Sequence, residues 1–158
     1  MVEHSAEPDY DPTVVAIHNR LFFRIFQIGN ILHRQASTQL KISTVQWAIL
    51  GALASPRMKD GMTVNELAEH LVVSRQNLDG VLTRLERDQY VTRVADQVDR
   101  RTRRVKMTEE GWKFWNALQP SIYEFYDQAI SDFRFDDKVA FVHFLNKLQA
   151  SLRAVKLP

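Results

Sequence analysis

The side chains in this 158-residue chain best suited to paired hydrogen bonding fall in two groups: Ser74, Arg75, Gln76 and Asn77, and further along Asp99, Arg100, Arg101 and Arg103. A guanidinium offers parallel donors to a phosphate or to two acceptors on a base edge, and Gln or Asn offers the donor and acceptor that match adenine. The second group sits in Asp96-Gln97-Val98-Asp99-Arg100-Arg101-Thr102-Arg103-Arg104-Val105-Lys106-Met107-Thr108, between β-prone runs at 90–94 and 104–107. Two short strands joined by a basic tip with carboxylates to brace it predict a β-ribbon able to enter a nucleic-acid groove.

Charge points the same way. Residues 74–106 hold nine Lys/Arg against five Asp/Glu, a local excess of +4 in a chain whose net charge is +2. The remainder is therefore at −2. A basic segment on a slightly acidic body suits a polyanion-binding face.

Several other chemistries are excluded or disfavoured. The chain has no cysteine, which removes disulfides, thiolate metal sites and thiol nucleophiles. His4, His18, His33, His70 and His143 show no metal-ligand spacing, and only five glycines are present, with no phosphate loop and no Gly-x-Ser-x-Gly. Glu66, Glu69 and His70 could touch a metal, but they read better as solvated residues flanking the apolar Leu67 and Leu71. No enzyme, cofactor or metal is expected. The acidic, Pro-containing start lacks a secretory pattern and no apolar run reaches the roughly 20 residues that span a bilayer, so a cytoplasmic protein without membrane contact is expected.

The elements that must position these residues follow from apolar spacing. Val14, Ile17, Leu21, Ile25, Ile28 and Leu32 predict a helix over 13–36. Phe22, Phe23, Phe26 and Ile31 lie outside that stripe, so the helix needs cover on more than one side and calls for a partner chain. A second helix starts at Ser43 and carries Val45, Trp47, Ile49, Leu50 and Leu53. Thr63 and Glu66 form a capping box for a short helix with Leu67 and Leu71 inward. Ser74 caps another, running to about 88, with Leu78, Val81, Leu82 and Leu85 inward and Gly80 costing about 1 kcal/mol relative to Ala. Only a short turn joins these two, as in a helix-turn-helix. Thr108 caps a long aromatic helix in which Pro120 predicts a kink or a break, and a last helix covers about 136–155.

The order helix, helix, helix-turn-helix, β-ribbon, helix, helix resembles the MarR family of winged-helix transcription regulators over nearly the whole chain. The resemblance is carried by Ile42-Ser43-Thr44-Val45-Gln46-Trp47-Ala48-Ile49-Leu50, Thr63-Val64-Asn65-Glu66-Leu67-Ala68-Glu69-His70-Leu71, Ser74-Arg75-Gln76-Asn77, Thr83-Arg84-Leu85-Glu86 and Val105-Lys106-Met107-Thr108-Glu109-Glu110-Gly111. It implies a mainly α (α+β) fold: a winged helix-turn-helix at 41–107, an all-helical dimerisation region from 13–40 and 108–158, and a flexible segment at 1–12. It also implies an obligate homodimer on double-stranded DNA, most often as a repressor of a pseudopalindromic operator. Ser74, Arg75, Gln76 and Asn77 would meet the major groove, with Arg84 on the same helix, and Asp99, Arg100, Arg101 and Arg103 belong to the wing. One tip Arg would enter the minor groove while Asp96 or Asp99 holds the loop by an ion pair. Arg103, Arg104 and Lys106 would meet phosphates or stay solvated, since strand alternation turns only one set toward DNA.

Two features depart from the family. Asp79 and Gly80 replace a small hydroxylic and an often basic residue, so Asp79 is expected to face a base edge, to pair with Arg75 or Arg84, or to point away. Family members also commonly bind small aromatic effectors. Arg24, Asn30, His33, Gln46 and Trp47 could supply such a site here, with Arg24 facing a carboxylate, His33 a hydroxyl and Trp47 forming a wall. The competing reading is a winged-helix module that binds another protein.

Overall fold

The computed structural model describes residues 11–157. The expected flexible segment lies outside them up to residue 10. Its last residue, Pro12, instead opens the first helix, α1 (Pro12–Gln35), where the Asp11 carboxylate accepts from the Thr13 amide at 2.8 Å. Proline suits this first helical position because its missing N–H has no partner there anyway. The helix continues past its expected end into a π-helical turn, Ala36–Leu40, that buries Ala36 and Leu40. The Ser37 and Thr38 hydroxyls donate to the His33 and Arg34 carbonyls, and Lys41 ends the turn in the left-handed conformation.

Next come α2 (Thr44–Leu53), α3 (Val64–Leu71) and α4 (Arg75–Arg87). Their starts are those expected from the sequence: Ser43 and Gln46 form one capping box, Thr63 and Glu66 another, and the Ser74 hydroxyl accepts from the Asn77 amide. The turn between α3 and α4 closes through Val72, which adopts the left-handed conformation at φ 54° so that the Val73 amide can donate to the Ala68 carbonyl. A β-branched residue there is strained.

The core lies where these helices meet a small sheet. Ile49 and Leu50 of α2, Leu67 of α3, and Leu78, Leu82 and Leu85 of α4 are buried with Val91 and Val105 of the ribbon. The ribbon strands are β2 (Val91–Ala95) and β3 (Arg103–Met107), close to the expected runs. A third strand escapes the sequence reading: β1 (Met62–Thr63), two residues long, pairs with β3 so that Met62 faces Val105 and Thr63 faces Arg104. Its approach requires Gly61, whose φ is +80° and where a Cβ would lie 2.5 Å from the Val105 carbonyl oxygen.

Helix α5 (Glu109–Ala129) is capped by Thr108, which accepts from the Gly111 amide. It continues through Pro120 as one helix, so of the expected kink or break the break does not occur; the proline forfeits the bond to the Asn116 carbonyl and its ring crowds that oxygen. The chain divides into two compact units, the first reaching Leu118 and the second starting at Gln119. In the second lies α6 (Phe135–Ala154), which buries none of its residues in the protomer, as is also true of α1 in the first. Among the described residues no helix is long and apolar enough to cross a membrane.

Gly111 anchors the start of α5 against the ribbon: a Cβ there would lie 2.0 Å from the Tyr90 carbonyl oxygen. The Tyr90 and Phe114 rings stack beside it at 4.3 Å. Gly111→Ala is therefore expected to destabilise the protein by about 1–3 kcal/mol, as for an overpacked core, read as a lowered urea midpoint at fixed protein concentration.

Candidate nucleic-acid interface

Helix α4 presents three surfaces. At 100° per residue, Leu78, Val81, Leu82 and Leu85 form one buried stripe, and Gln76, Asn77, Gly80, Thr83 and Arg84 form the exposed face opposite. Asp79 and Glu86, seven residues apart, share a flank. Both acids of that flank bind Arg93 of β2: Arg93 Nη1 lies 2.8 Å from Asp79 Oδ1, and Nε donates to Glu86 Oε2 at 3.1 Å. Asp79 thus pairs not with Arg75 or Arg84, the partners weighed from the sequence, but with the ribbon. Sequence could not find this partner because strand register, not helix spacing, delivers Arg93 to α4.

The register also sorts the cations of the ribbon. Arg93 faces Val105 and Ala95 faces Arg103, whereas Val94 faces Arg104 and Thr92 faces Lys106. Directly opposed residues share a face of the sheet. Arg103 is therefore on the face with Arg93 and the buried Val105, toward α4, and Arg104 and Lys106 are on the other.

Arg104, expected to meet phosphates or stay solvated, has its partners within the protomer. Its Nε is paired with Asp96 Oδ2, its Nη1 donates to the Gly61 carbonyl at 2.8 Å, and Nη1 stands 3.7 Å from Glu66 Oε2. One guanidinium thereby joins the base of the ribbon tip, the turn before β1 and the capping box of α3. Glu66, one of the Glu66, Glu69 and His70 group, is committed to this work. Among the described residues no group of His, Asp and Glu is placed to hold a metal ion.

The tip itself is held by two carboxylates in different ways. Asp96 accepts from the amides of Val98 at 2.8 Å and Asp99 at 3.0 Å in addition to its ion pair. Asp99 accepts from the Arg101 amide at 3.0 Å and the Thr102 hydroxyl at 3.1 Å. The ion-pair brace is thus Asp96, its partner is the strand residue Arg104, and Asp99 shapes the turn. Neither acid engages a tip guanidinium. Among the described residues no ion pair involves Arg75, Arg84, Arg100, Arg101 or Arg103, all of them exposed.

The aromatic-site set is only partly assembled. His33 Nδ1 lies 3.2 Å from Thr44 Oγ1, which brings the end of α1 to the start of α2, where Gln46 and half-buried Trp47 sit. Gln46 Oε1, however, is already used: it accepts from the Ser43 amide at 2.9 Å in the capping box. Asn30 is about one turn before His33. Arg24 is exposed in the protomer rather than buried, donates to Gln27 at 3.0 Å, and stands roughly 13 Å along the helix from His33 at 1.5 Å per residue.

A short-turned helix pair, a hydrophilic second helix with free hydrogen-bonding side chains and a braced basic ribbon define a winged helix-turn-helix that binds DNA. Comparison with known proteins gives the family. Residues 40–102 match the model of the MarR family. The chain is 42% identical over 139 residues, 85% of its length and 79% of the other's, to the transcriptional activatory protein BadR of Rhodopseudomonas palustris. It is 32% identical over 105 residues, 66% of its length and 69% of the other's, to the homoprotocatechuate degradative operon repressor of Escherichia coli. The S. aureus MepR–DNA complex superposes with a TM-score of 0.70 at 26% identity, over 85% of this chain and 97% of that one. The chain belongs to the MarR family of transcription regulators, and it is not an enzyme.

The brace has a titration signature. The Asp99 amide, the Arg104 guanidinium and the Val98 amide together lower the Asp96 pKa from 3.8 to about 2. A depressed carboxyl stabilises the folded tip above its unfolded value and loses that contribution only as pH falls toward the folded one. The Val98 and Asp99 amide resonances are expected to shift with a midpoint near 2 rather than 3.8, and Asp96→Ala should abolish the transition. A midpoint at the ordinary carboxylate value would refute the brace.

Proposed function

We propose that this protein binds a pseudopalindromic operator as a homodimer, with α4 in the major groove and the ribbon tip in the adjacent minor groove. The observation that carries the reading is the division of labour among charges. The acids between 74 and 106 are taken up by Arg87, Arg93, Arg104 and backbone amides, while Arg75, Arg84, Arg100, Arg101 and Arg103 are left free. Ser74, Arg75, Gln76 and Asn77 supply base contacts at the start of α4, with Ser74 also serving as its cap. Arg84 and Arg103 meet phosphates, and Arg100 or Arg101 enters the minor groove, whose negative potential favours a guanidinium. Asp99 contributes by shaping the turn that presents them.

The dimer is supported by α1 and α6, each of which leaves large apolar residues uncovered in the protomer, among them Phe23 and Phe26 on α1 and Phe144 on α6. A second copy of the chain is the cover we propose, from 13–40 and 108–158, with 41–107 as the DNA-binding part. Two modules on one dimer place half-sites roughly 34–36 Å apart. Repression needs no contact beyond the operator and is the mode proposed. A reporter driven by the bound promoter distinguishes it from activation, the role named for one of the two relatives. The working compartment is the cytoplasm.

For the effector we propose a small aromatic acid bound where α1 meets α2, at Asn30, His33 and Trp47. Homoprotocatechuate, whose degradative operon one relative represses, belongs to that chemical class. In calorimetry with benzoate, His33→Ala is expected to weaken binding at least about fivefold. Equal affinity of Arg24→Ala and wild type removes Arg24 from the site, and equal affinity of Gln46→Ala removes Gln46.

The DNA reading is tested by selecting duplexes from a random pool and titrating the best with salt. Several phosphate contacts predict an affinity that falls steeply as salt rises. Salt-insensitive or absent binding would favour the protein-interaction module instead. On the selected duplex Arg101→Ala, and to a smaller degree Arg100→Ala, should lose about tenfold in affinity while the dimer mass in sedimentation is unchanged. Normal binding by both variants would remove the tip from the minor groove.

A further inference from the structure

Gly80 has no structural reason to be a glycine. It lies within a helix of 13 residues, at least five positions from either end, where glycine is a markedly poorer helix former than alanine. It has no left-handed φ. A Cβ built on it meets nothing within 4 Å, so no neighbour forbids a side chain. Gly61 and Gly111 are the contrast, since both are forced by close backbone approach within the fold.

Its position is equally particular. Gln76, Asn77, Thr83 and Arg84, the residues three and four places away on either side, surround it on the exposed face. Gly80 is thus the centre of the face that points away from the core. The residue beside it leaves that face clear as well: the Asp79 carboxylate is drawn onto the flank by Arg93, and the Thr83 hydroxyl turns back to the Asp79 carbonyl at 2.9 Å. The middle of α4 is therefore bare, with hydrogen-bonding side chains before and after it.

We propose that Gly80 is the close-approach point of the recognition helix, the place where its backbone lies against the base edges and where the missing side chain sets how deeply α4 enters the major groove. Glycine is the residue that permits such approach of a backbone to a ligand. Depth then governs readout: Gln76 and Asn77 have short reach, and a helix held further out loses their paired contacts to adenine. Arg93 is a positioning residue in this scheme, because it withdraws the one carboxylate adjacent to the bare centre. The inference rests on the assignment of the exposed face of α4 to the groove.

The experiment measures thermal unfolding and fluorescence anisotropy on the selected duplex for wild type, Gly80→Ala, Gly80→Leu and Arg84→Ala. Gly80→Ala is expected to raise the unfolding midpoint by about 2–4 °C and to weaken DNA binding about tenfold, with Gly80→Leu weaker still. Opposite signs for stability and affinity are what a purely structural glycine would not give. Binding as tight as wild type by both Gly80 variants, while Arg84→Ala binds less tightly, overturns the close approach and leaves the groove assignment standing. A lowered unfolding midpoint in Gly80→Ala also overturns it, by giving the glycine a role in the fold. Unchanged binding in all three variants removes α4 from the groove and takes the inference with it.

Discussion

The grip of Arg93 on Asp79 and Glu86 is the contact on which the geometry of the interface depends. The helix and the ribbon each have their own local reasons to form, capping and a buried stripe for one, strand pairing for the other. The angle between them begins at the turn, where Gln89 is left-handed at φ 65° and the Tyr90 amide donates to the Leu85 carbonyl, and it is held further along by packing and by Arg93. That angle decides whether side chains on α4 and cations at the tip can meet one duplex at the same time. Buried Val91 and Val105 pack between the two elements, and the fork of charge-assisted bonds from a single guanidinium to two acids ties them together beyond the turn. Arg93 is only about a quarter exposed and Glu86 about a third, so their pair is better shielded from salt than the one with Asp79, which is more than half exposed.

The same logic accounts for the charge of the segment. A formal excess of +4 understates what a polyanion meets, because carboxylates that would repel phosphates are turned inward or held by amides. Arg93 and Arg104 do the internal work, Arg87 pairs with its neighbour Asp88, and among the described residues Arg75, Arg84, Arg100, Arg101 and Arg103 enter no ion pair. Electrostatic attraction at the surface is thus bound up with ion pairing inside it, and a substitution in the second kind of arginine acts on the first.

Local rules made much of this legible in the sequence. Ser43, Thr63, Ser74 and Thr108 each start a helix, because a hydroxyl that satisfies an orphan amide announces itself within three residues. The ribbon was legible from its β-prone runs, and the free tip arginines from their type. What escaped was long-range. β1 is two residues long and has no periodicity to detect, and Arg104 donates to Gly61 across 43 positions. Asp79 could be weighed only against arginines at helical spacing, so its true partner on β2 was out of view. Two members of the aromatic-site set have surroundings that the sequence also hid: the Gln46 carbonyl oxygen is taken by the capping box, and Arg24, set among phenylalanines in the sequence, is open in the protomer.

Glu66 draws these threads together in a way that extends beyond static fit. Its carboxylate caps α3 through the Thr63 amide while standing beside Arg104, which in turn holds Asp96 at the base of the tip. The first helix of the helix-turn-helix and the ribbon are thus geared to each other. A change at Glu66 therefore alters the surroundings of Arg104, the residue that holds the base of the tip. The cap of α3 and the brace of the ribbon are two ends of one chain of charges, and what is lost at Glu66 is lost to both.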